Sequence, residues 1–218
     1  MQTDIQADTV SGPSPLLAAR GVTKSFPGVR ALGGVDFDVR PGEVHALCGE
    51  NGAGKSTLMR ILSGAFRPDA GEIVFKDAPT EFRNTREALG MGILLVHQEI
   101  SLVPELTVAE NIFLGAIPAS GGFVSRRNLY NRARAILIEA GGEFEKIDPR
   151  ARVGSLSFAR QQMVEIARAM AFNCSVVIFD EPTSSLTTAE ALSLFETIGR
   201  LKTRGVGMVY ISHKMPEI

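Results

Sequence analysis

The chain has 218 residues, 44% of them hydrophobic and 22% charged, with a formal net charge of −1. That length and apolar content suffice for a substantial domain with its own core, and the near-neutral charge excludes a broad basic field for nucleic acid. No run approaches the roughly 18 apolar residues of a membrane span, and the two cysteines are isolated, which favours free thiols over a disulfide or metal site. Cys48 and Cys174 both adjoin apolar strand-like runs and are expected to be buried free thiols in a reducing, cytoplasmic compartment.

The chain opens with MQTDIQADTVSGPSP, which lacks a basic segment followed by an apolar one. Residues 1–14 are expected to be a flexible leader rather than a signal peptide. Short β-like runs follow at 16–20, 34–39 and 43–48. Residues 49–56 then read GENGAGKS, which fits G-x-x-x-x-G-K-[ST] and lies between the strand-like HALC and the helix-like STLMRIL. Gly49, Glu50, Asn51, Gly52, Ala53 and Gly54 form a loop whose backbone N–H groups turn inward around an anion. Lys55 brings positive charge to the β- and γ-phosphates, and Ser56 offers its hydroxyl to Mg²⁺. The N-terminus of the following helix, with Thr57 in its first turn, adds its dipole.

That helix is predicted over about 55–63, with Leu58, Ile61 and Leu62 on one face. EIVF (72–75) follows the turn-prone RPDAG as another strand, and GILLV (92–96) reads as a buried one. From 99 to 172 the pattern becomes mostly helical, with NLYNRARAILIEA (128–140) its clearest amphipathic piece. Within this stretch lies SLSFARQQM (155–163). Met163, Ile166, Ala167 and Met170 keep helical spacing, so Ser157 precedes a helix. It can cap that helix, or offer the helix N-terminus to a phosphate.

VVIFDE (176–181) places two acids at the end of a buried strand, the edge where open α/β sheets bind ligands. Asp180 is positioned to hold Mg²⁺, usually through water, and Glu181 to polarise an attacking water. A helix over about 188–203 and a strand over 207–212 complete the described pattern. Buried strands alternating with helices predict a parallel α/β sheet, with the helical stretch as a separate lobe.

Four further segments narrow the reading: VHQ (96–98), SLSFARQQM, DEPTSSLT (180–187) and VYISH (209–213). With the phosphate loop, this set resembles the ATP-binding subunits of ABC transporters over about residues 16–218. PGEVHALCGENGAGKSTLMRILSG, HQEISLVPELTVAENIFLG and QQMVEIARAM are similar to the ATPases of monosaccharide importers of the ribose, xylose and galactose type. The resemblance implies a P-loop NTPase (RecA-like) core with an antiparallel β subdomain and a helical lobe at about 99–172. It implies ATP and Mg²⁺ as ligands, and hydrolysis in a head-to-tail pair with a second nucleotide-binding domain. Transmembrane permease subunits would be the direct partners, and an extracytoplasmic sugar-binding protein an indirect one. The pair would work at the cytoplasmic face of the membrane, with no nucleic acid involved. Phe26 would stack on adenine. Gln98 would touch Mg²⁺ and the attacking water. His213 would contact the γ-phosphate. Ser157 would face ATP held by the other domain.

Three departures from the family pattern stand out. Phe158, Ala159 and Arg160 replace the usual signature residues, and Thr187 replaces an aspartate found in many relatives. The importers of this branch usually carry two nucleotide-binding domains in one polypeptide, so residues 15–218 are expected to be one such domain, shortened at its C-terminus. Two other classes compete: a non-transport ABC ATPase, and a non-catalytic ATP-binding regulatory module. The first usually adds coiled-coil, zinc or basic insertions, none of which is seen. The altered signature leaves the second some weight. A P-loop GTPase is disfavoured because no N-K-x-D guanine motif is present. A small-molecule kinase would have no use for the SLSFARQQ-to-DEPT arrangement.

Overall fold

The structure, a computed structural model, describes residues 13–49, 52–97, 101–115, 125–183 and 186–212. The leader's residues 1–12 lie outside that set. β1 (Leu17–Phe26) and β2 (Val29–Val39) form an antiparallel hairpin in which Phe26 pairs with Val29. β3 (Val44–Leu47) leads through the glycine loop into α1 (Lys55–Leu62). β4 (Ala70–Phe75) and β5 (Ala78–Thr80) then turn back against the hairpin. α2 (Thr85–Met91) precedes β6 (Ile93–Val96). α3 (Val108–Ile112), α4 (Arg126–Ala140) and α5 (Phe158–Ala171) build the helical lobe. β7 (Val176–Asp180), α6 (Thr188–Thr203) and β8 (Gly207–Ile211) follow.

The strands form two sheets. One is antiparallel, in the order β2-β1-β4-β5; the other is parallel, in the order β3-β8-β7-β6. Successive strand residues face opposite sides, so β6, β7 and β8 each serve two cores. Ile93, Val176, Ile178, Val209 and Ile211 pack with α1 and with Leu17, Val39 and Phe75 of the antiparallel sheet. Leu94, Val96, Val177, Phe179 and Met208 pack with the helices of the lobe. Burial on both faces explains the unbroken apolar run VVIF. Each of these fully buried side chains contributes about 1.5–3 kcal/mol relative to exposure.

Local signals fix the lobe helices. α3 starts on a capping box: Thr107 N and Oγ1 donate to Glu110 Oε2 at 2.8 and 2.7 Å, and Glu110 N donates back to Thr107 Oγ1 at 3.2 Å. Those bonds from Thr107 hold the Glu110 carboxyl below its usual range. α4 buries Leu129, Ala133, Leu137 and Ala140 along one stripe, as its amphipathic sequence requires. Among the described residues, no helix is long and apolar enough to cross a membrane.

Several expectations change. β1 and β2 are longer than their apolar runs, because the hairpin continues into half-exposed residues. β5 and α2 carry too little periodicity to be read from sequence. Cys174 is buried, and burial pushes its thiol up to about 12. Cys48 is exposed rather than buried. The reason is topological: β3 lies at the edge of the parallel sheet, with its side chains half-covered, and Cys48 stands at the mouth of the glycine loop.

Candidate functional site

The glycine loop occupies the C-terminal edge of the parallel sheet, between β3 and α1. Gly54 is the residue before α1 and adopts a left-handed conformation with φ of 86°. No side chain caps the helix there, so its first N–H groups remain available to an anion. A Cβ on Gly54 would sit 2.5 Å from the Ala31 carbonyl oxygen and 2.9 Å from Leu32. Both the φ and the close approach therefore demand glycine. Gly54→Ala is expected to lower stability by about 1–3 kcal/mol, from strain and overpacking. It should also distort the anion cradle, so thermal unfolding and nucleotide titration will both register it.

Lys55 Nζ donates to the Gly49 carbonyl at 2.5 Å, which spans the ammonium across the loop. Gly52, Ala53, Gly54, Lys55, Ser56 and Thr57 line a cavity of about 240 Å³ together with Asp180 and Glu181. That volume is below the roughly 300 Å³ at which pockets begin to enclose whole drug-sized ligands. It suits a polyphosphate, with the remainder of a nucleotide lying outside. Larger cavities of about 540, 420 and 400 Å³ occur elsewhere, but none of them is lined by this loop.

Asp180 ends β7 and pairs in register with Ile211 of β8. Burial pushes its carboxyl above the usual range, and neighbouring Glu181 adds to the shift. Arg60, His97 and a hydrogen bond with the Ser56 side chain oppose it. A hard divalent cation fits this donor set. Ser56 and Asp180 supply adjacent oxygens, and a positive charge would relieve the crowding of two carboxylates. Among the described residues, no cluster of three or more His, Cys, Asp or Glu forms a metal site by itself. The ion would therefore take most of its remaining ligands from phosphate and water, as Mg²⁺ does.

Glu181 is one of few non-glycine residues with positive φ, at 49°, and its N–H donates to the Ile211 carbonyl at 3.1 Å. Such strain is held in place by the strands on either side and concentrates at functional sites. The sequence carried no sign of it.

Phe26 ends β1 at the hairpin tip. It is 37% exposed and makes an edge contact with Phe66 at a centroid distance of 5.7 Å. It does not line the phosphate cavity, but its strand partner Val29 does, which puts the Phe26 backbone beside the rim. Ser157 lies in the helical lobe as the N-cap of α5 and accepts from Arg160 N at 3.4 Å. It lines no part of the Lys55 cavity. Phe158 is 43% exposed, so it does not fill the lobe's core; Ala159 is the buried member of the pair. Glu50, Asn51, Gln98 and His213 lie outside the described residues. Sequence reasoning passed over Glu165 and Asn111, both buried polar residues of the lobe.

Comparison with known proteins agrees with this geometry. Residues 32–184 match the family model described as ABC transporter. The chain is 54% identical over 204 residues to the ribose import ATP-binding protein RbsA 1 of Rubrobacter xylanophilus, covering 94% of this chain and 40% of that protein. It is 51% identical over 212 residues to the galactose/methyl galactoside import ATP-binding protein MglA of Salmonella typhimurium, covering 96% and 41%. The chain thus spans about two fifths of the length of these relatives. Among solved structures, a dimeric bacterial ABC transporter cassette superposes with a TM-score of 0.78 at 28% identity, covering 92% of this chain and 89% of that one. A dimeric post-hydrolysis cassette bound to ADP and phosphate gives 0.79 at 28% identity, with the same coverage.

Proposed function

Because the chain belongs to the ABC transporter family of ATP-binding cassettes, we propose that it binds and hydrolyses ATP to energise import of a monosaccharide. The observation that carries this reading is the convergence of the glycine loop, Lys55, Ser56, Asp180 and Glu181 on one cleft at the C-terminal edge of the parallel sheet. The names of its relatives, ribose and galactose import proteins, support the substrate class.

In this reading, inward N–H groups of residues 49–57 and the Lys55 ammonium bind and orient the polyphosphate. Ser56, Asp180 and Gln98 would hold Mg²⁺, which would neutralise charge that develops on the phosphates. Glu181 accepts a proton from the attacking water, and His213 steadies the γ-phosphate. Phe26 stacks on the base at the rim. Ser157 and the N-terminus of α5 meet ATP bound to a second nucleotide-binding domain, which fits their absence from the Lys55 cavity. Phe158, 43% exposed, follows Ser157 directly, so this chain would contribute an altered signature to that composite site. Turnover therefore requires the partner domain. The pair sits on transmembrane subunits at the cytoplasmic face, and an extracytoplasmic binding protein delivers the sugar.

The test is uptake in vesicles that contain the membrane subunits and both nucleotide-binding domains, across pentoses, hexoses and a disaccharide. ATP-dependent uptake of one or a few monosaccharides is expected. ATP hydrolysis with no monosaccharide moved would refute the sugar assignment.

A further inference from the structure

Glu165 presents the most unusual polar burial in the lobe. It lies in the middle of α5 and is 3% exposed. Its Oε1 accepts two hydrogen bonds from Ser101, from the backbone N–H at 2.7 Å and from Oγ at 2.8 Å, across 64 residues of sequence. Its Oε2 is buried with no hydrogen-bond partner among the described residues, as is Nε of Arg168 one turn on. A carboxylate buried with half its acceptor capacity unused is poor for stability; an apolar residue of similar volume would serve the core better. Burial drives its carboxyl above the usual range, while the Ser101 bonds, Arg168 and His97 act against that shift. The arrangement calls for a role other than packing.

The residues around Ser101 supply one. Residues 101–107 are fastened along their length. Asn111, fully buried, accepts from Val103 N at 2.8 Å and donates to the Val103 carbonyl at 3.0 Å. Gly154 N donates to the Pro104 carbonyl at 2.9 Å, and Val153 N to the Leu106 carbonyl at 3.0 Å. A Cβ on Gly154 would come within 3.1 Å of Pro104, so the two backbones lie in close contact. Leu156 N in turn donates to the Val153 carbonyl, and Ser157 follows. The segment 101–107 is thus bonded both to the turn that enters the signature loop and, through Glu165, to the helix that leaves it.

We infer that Glu165 is a positioning residue: its carboxylate straps segment 101–107 to α5, so that the segment and the signature loop move as one body. The inference rests on the proposed function for its consequence, since Ser157 matters to turnover only in a two-domain site. The strap has a geometric prediction of its own. Without it, the Pro104–Gly154 and Leu106–Val153 bonds remain, but segment 101–107 and the N-terminus of α5 should both loosen.

Hydrogen exchange and kinetics of Glu165→Ala, Glu165→Gln and Ser101→Ala test it. Glu165→Gln keeps an oxygen able to accept both Ser101 donors; Glu165→Ala removes it. In the chain alone, Glu165→Ala should speed amide exchange about tenfold or more both at 101–106 and at 157–161, and Glu165→Gln should not. Paired with a second nucleotide-binding domain, Glu165→Ala should hold ATP affinity within about twofold while kcat per titrated site falls about tenfold or more, with Glu165→Gln recovering most of it. If Glu165→Ala does not fold, Ser101→Ala, which deletes one bond at the segment's own side, should show the same pattern at about threefold. Exchange that rises only at 101–106, or kcat per site unchanged in Glu165→Ala and Ser101→Ala, overturns the strap. Equal loss in the Gln and Ala variants also overturns it, because the accepting oxygen would then be irrelevant. Failure of the wild-type chain to bind ATP would refute the functional reading instead, and the exchange data would still decide whether the strap exists.

Discussion

Replacing Lys55 by alanine will lower affinity for ATP by about 100-fold or more. Charge-assisted hydrogen bonds are worth about 1.5–3 kcal/mol each, and the Lys55 ammonium is placed to make more than one with the phosphates. Each 1.4 kcal/mol is about tenfold in affinity. The fold should survive, so the loss reports the site. Lys55 opens α1, where alanine is an excellent helix former, and the core contributed by this helix is Leu58, Met59, Ile61 and Leu62. The Lys55–Gly49 bond is lost as well, which loosens the loop but leaves the sheet untouched. Calorimetric titration with ATP and Mg²⁺, beside far-ultraviolet circular dichroism, measures both. Undiminished affinity would mean that the phosphates do not occupy this cavity. Lys55→Arg should rescue little, because the guanidinium is too broad for a loop whose far wall is the Gly49 carbonyl.

The parts of this site that could be read in the sequence are those written in consecutive residues. GENGAGKS needs only its own spacing and its place between a strand and a helix. Asp180 and Glu181 follow an apolar run whose lack of alternation already says that both strand faces are buried. Ser157 announces α5 as its cap. What escaped has long-range or conformational causes. Cys48 reads as a buried thiol because VHAL is apolar enough, yet β3 is an edge strand, and strand order is set by pairing with β8 more than 150 residues away. Glu165 looks like one polar residue on an amphipathic helix. Its burial follows from α5 being enclosed between the sheet and the other lobe helices, which leaves Gln162 and Glu165 inside. Its partner Ser101 lies in a different element, where no periodicity points to it. A role for Phe26 at the base could be read only by resemblance, since its contact with Phe66 spans two strands, the glycine loop and a helix.

Glu181 is where strain and chemistry meet. Its φ of 49° carries a penalty of about 1–2 kcal/mol for a residue with a Cβ. The backbone bond to Ile211 helps to hold that turn, and it sets the residue just past the end of β7, one position after the proposed metal-holding Asp180. Glutamine in this position keeps the size, the backbone demand and the turn, and removes the charge and the ability to take a proton. Glu181→Gln is therefore expected to bind ATP within about twofold of wild type and to lose turnover by about 100-fold or more, the range for loss of a general base. With hydrolysis blocked, the two-domain complex should persist in ATP, measurable by light scattering, because nothing then opens it. Glu181→Gly separates the two properties further. Glycine accepts positive φ without strain, so the turn is kept while the side chain is removed, and turnover is lost just as fully. Hydrolysis in either variant above about one tenth of the wild-type rate would assign the proton to another group. A glycine variant that also loses stability would show that the Glu181 side chain, and not only its backbone, holds the end of β7 in place.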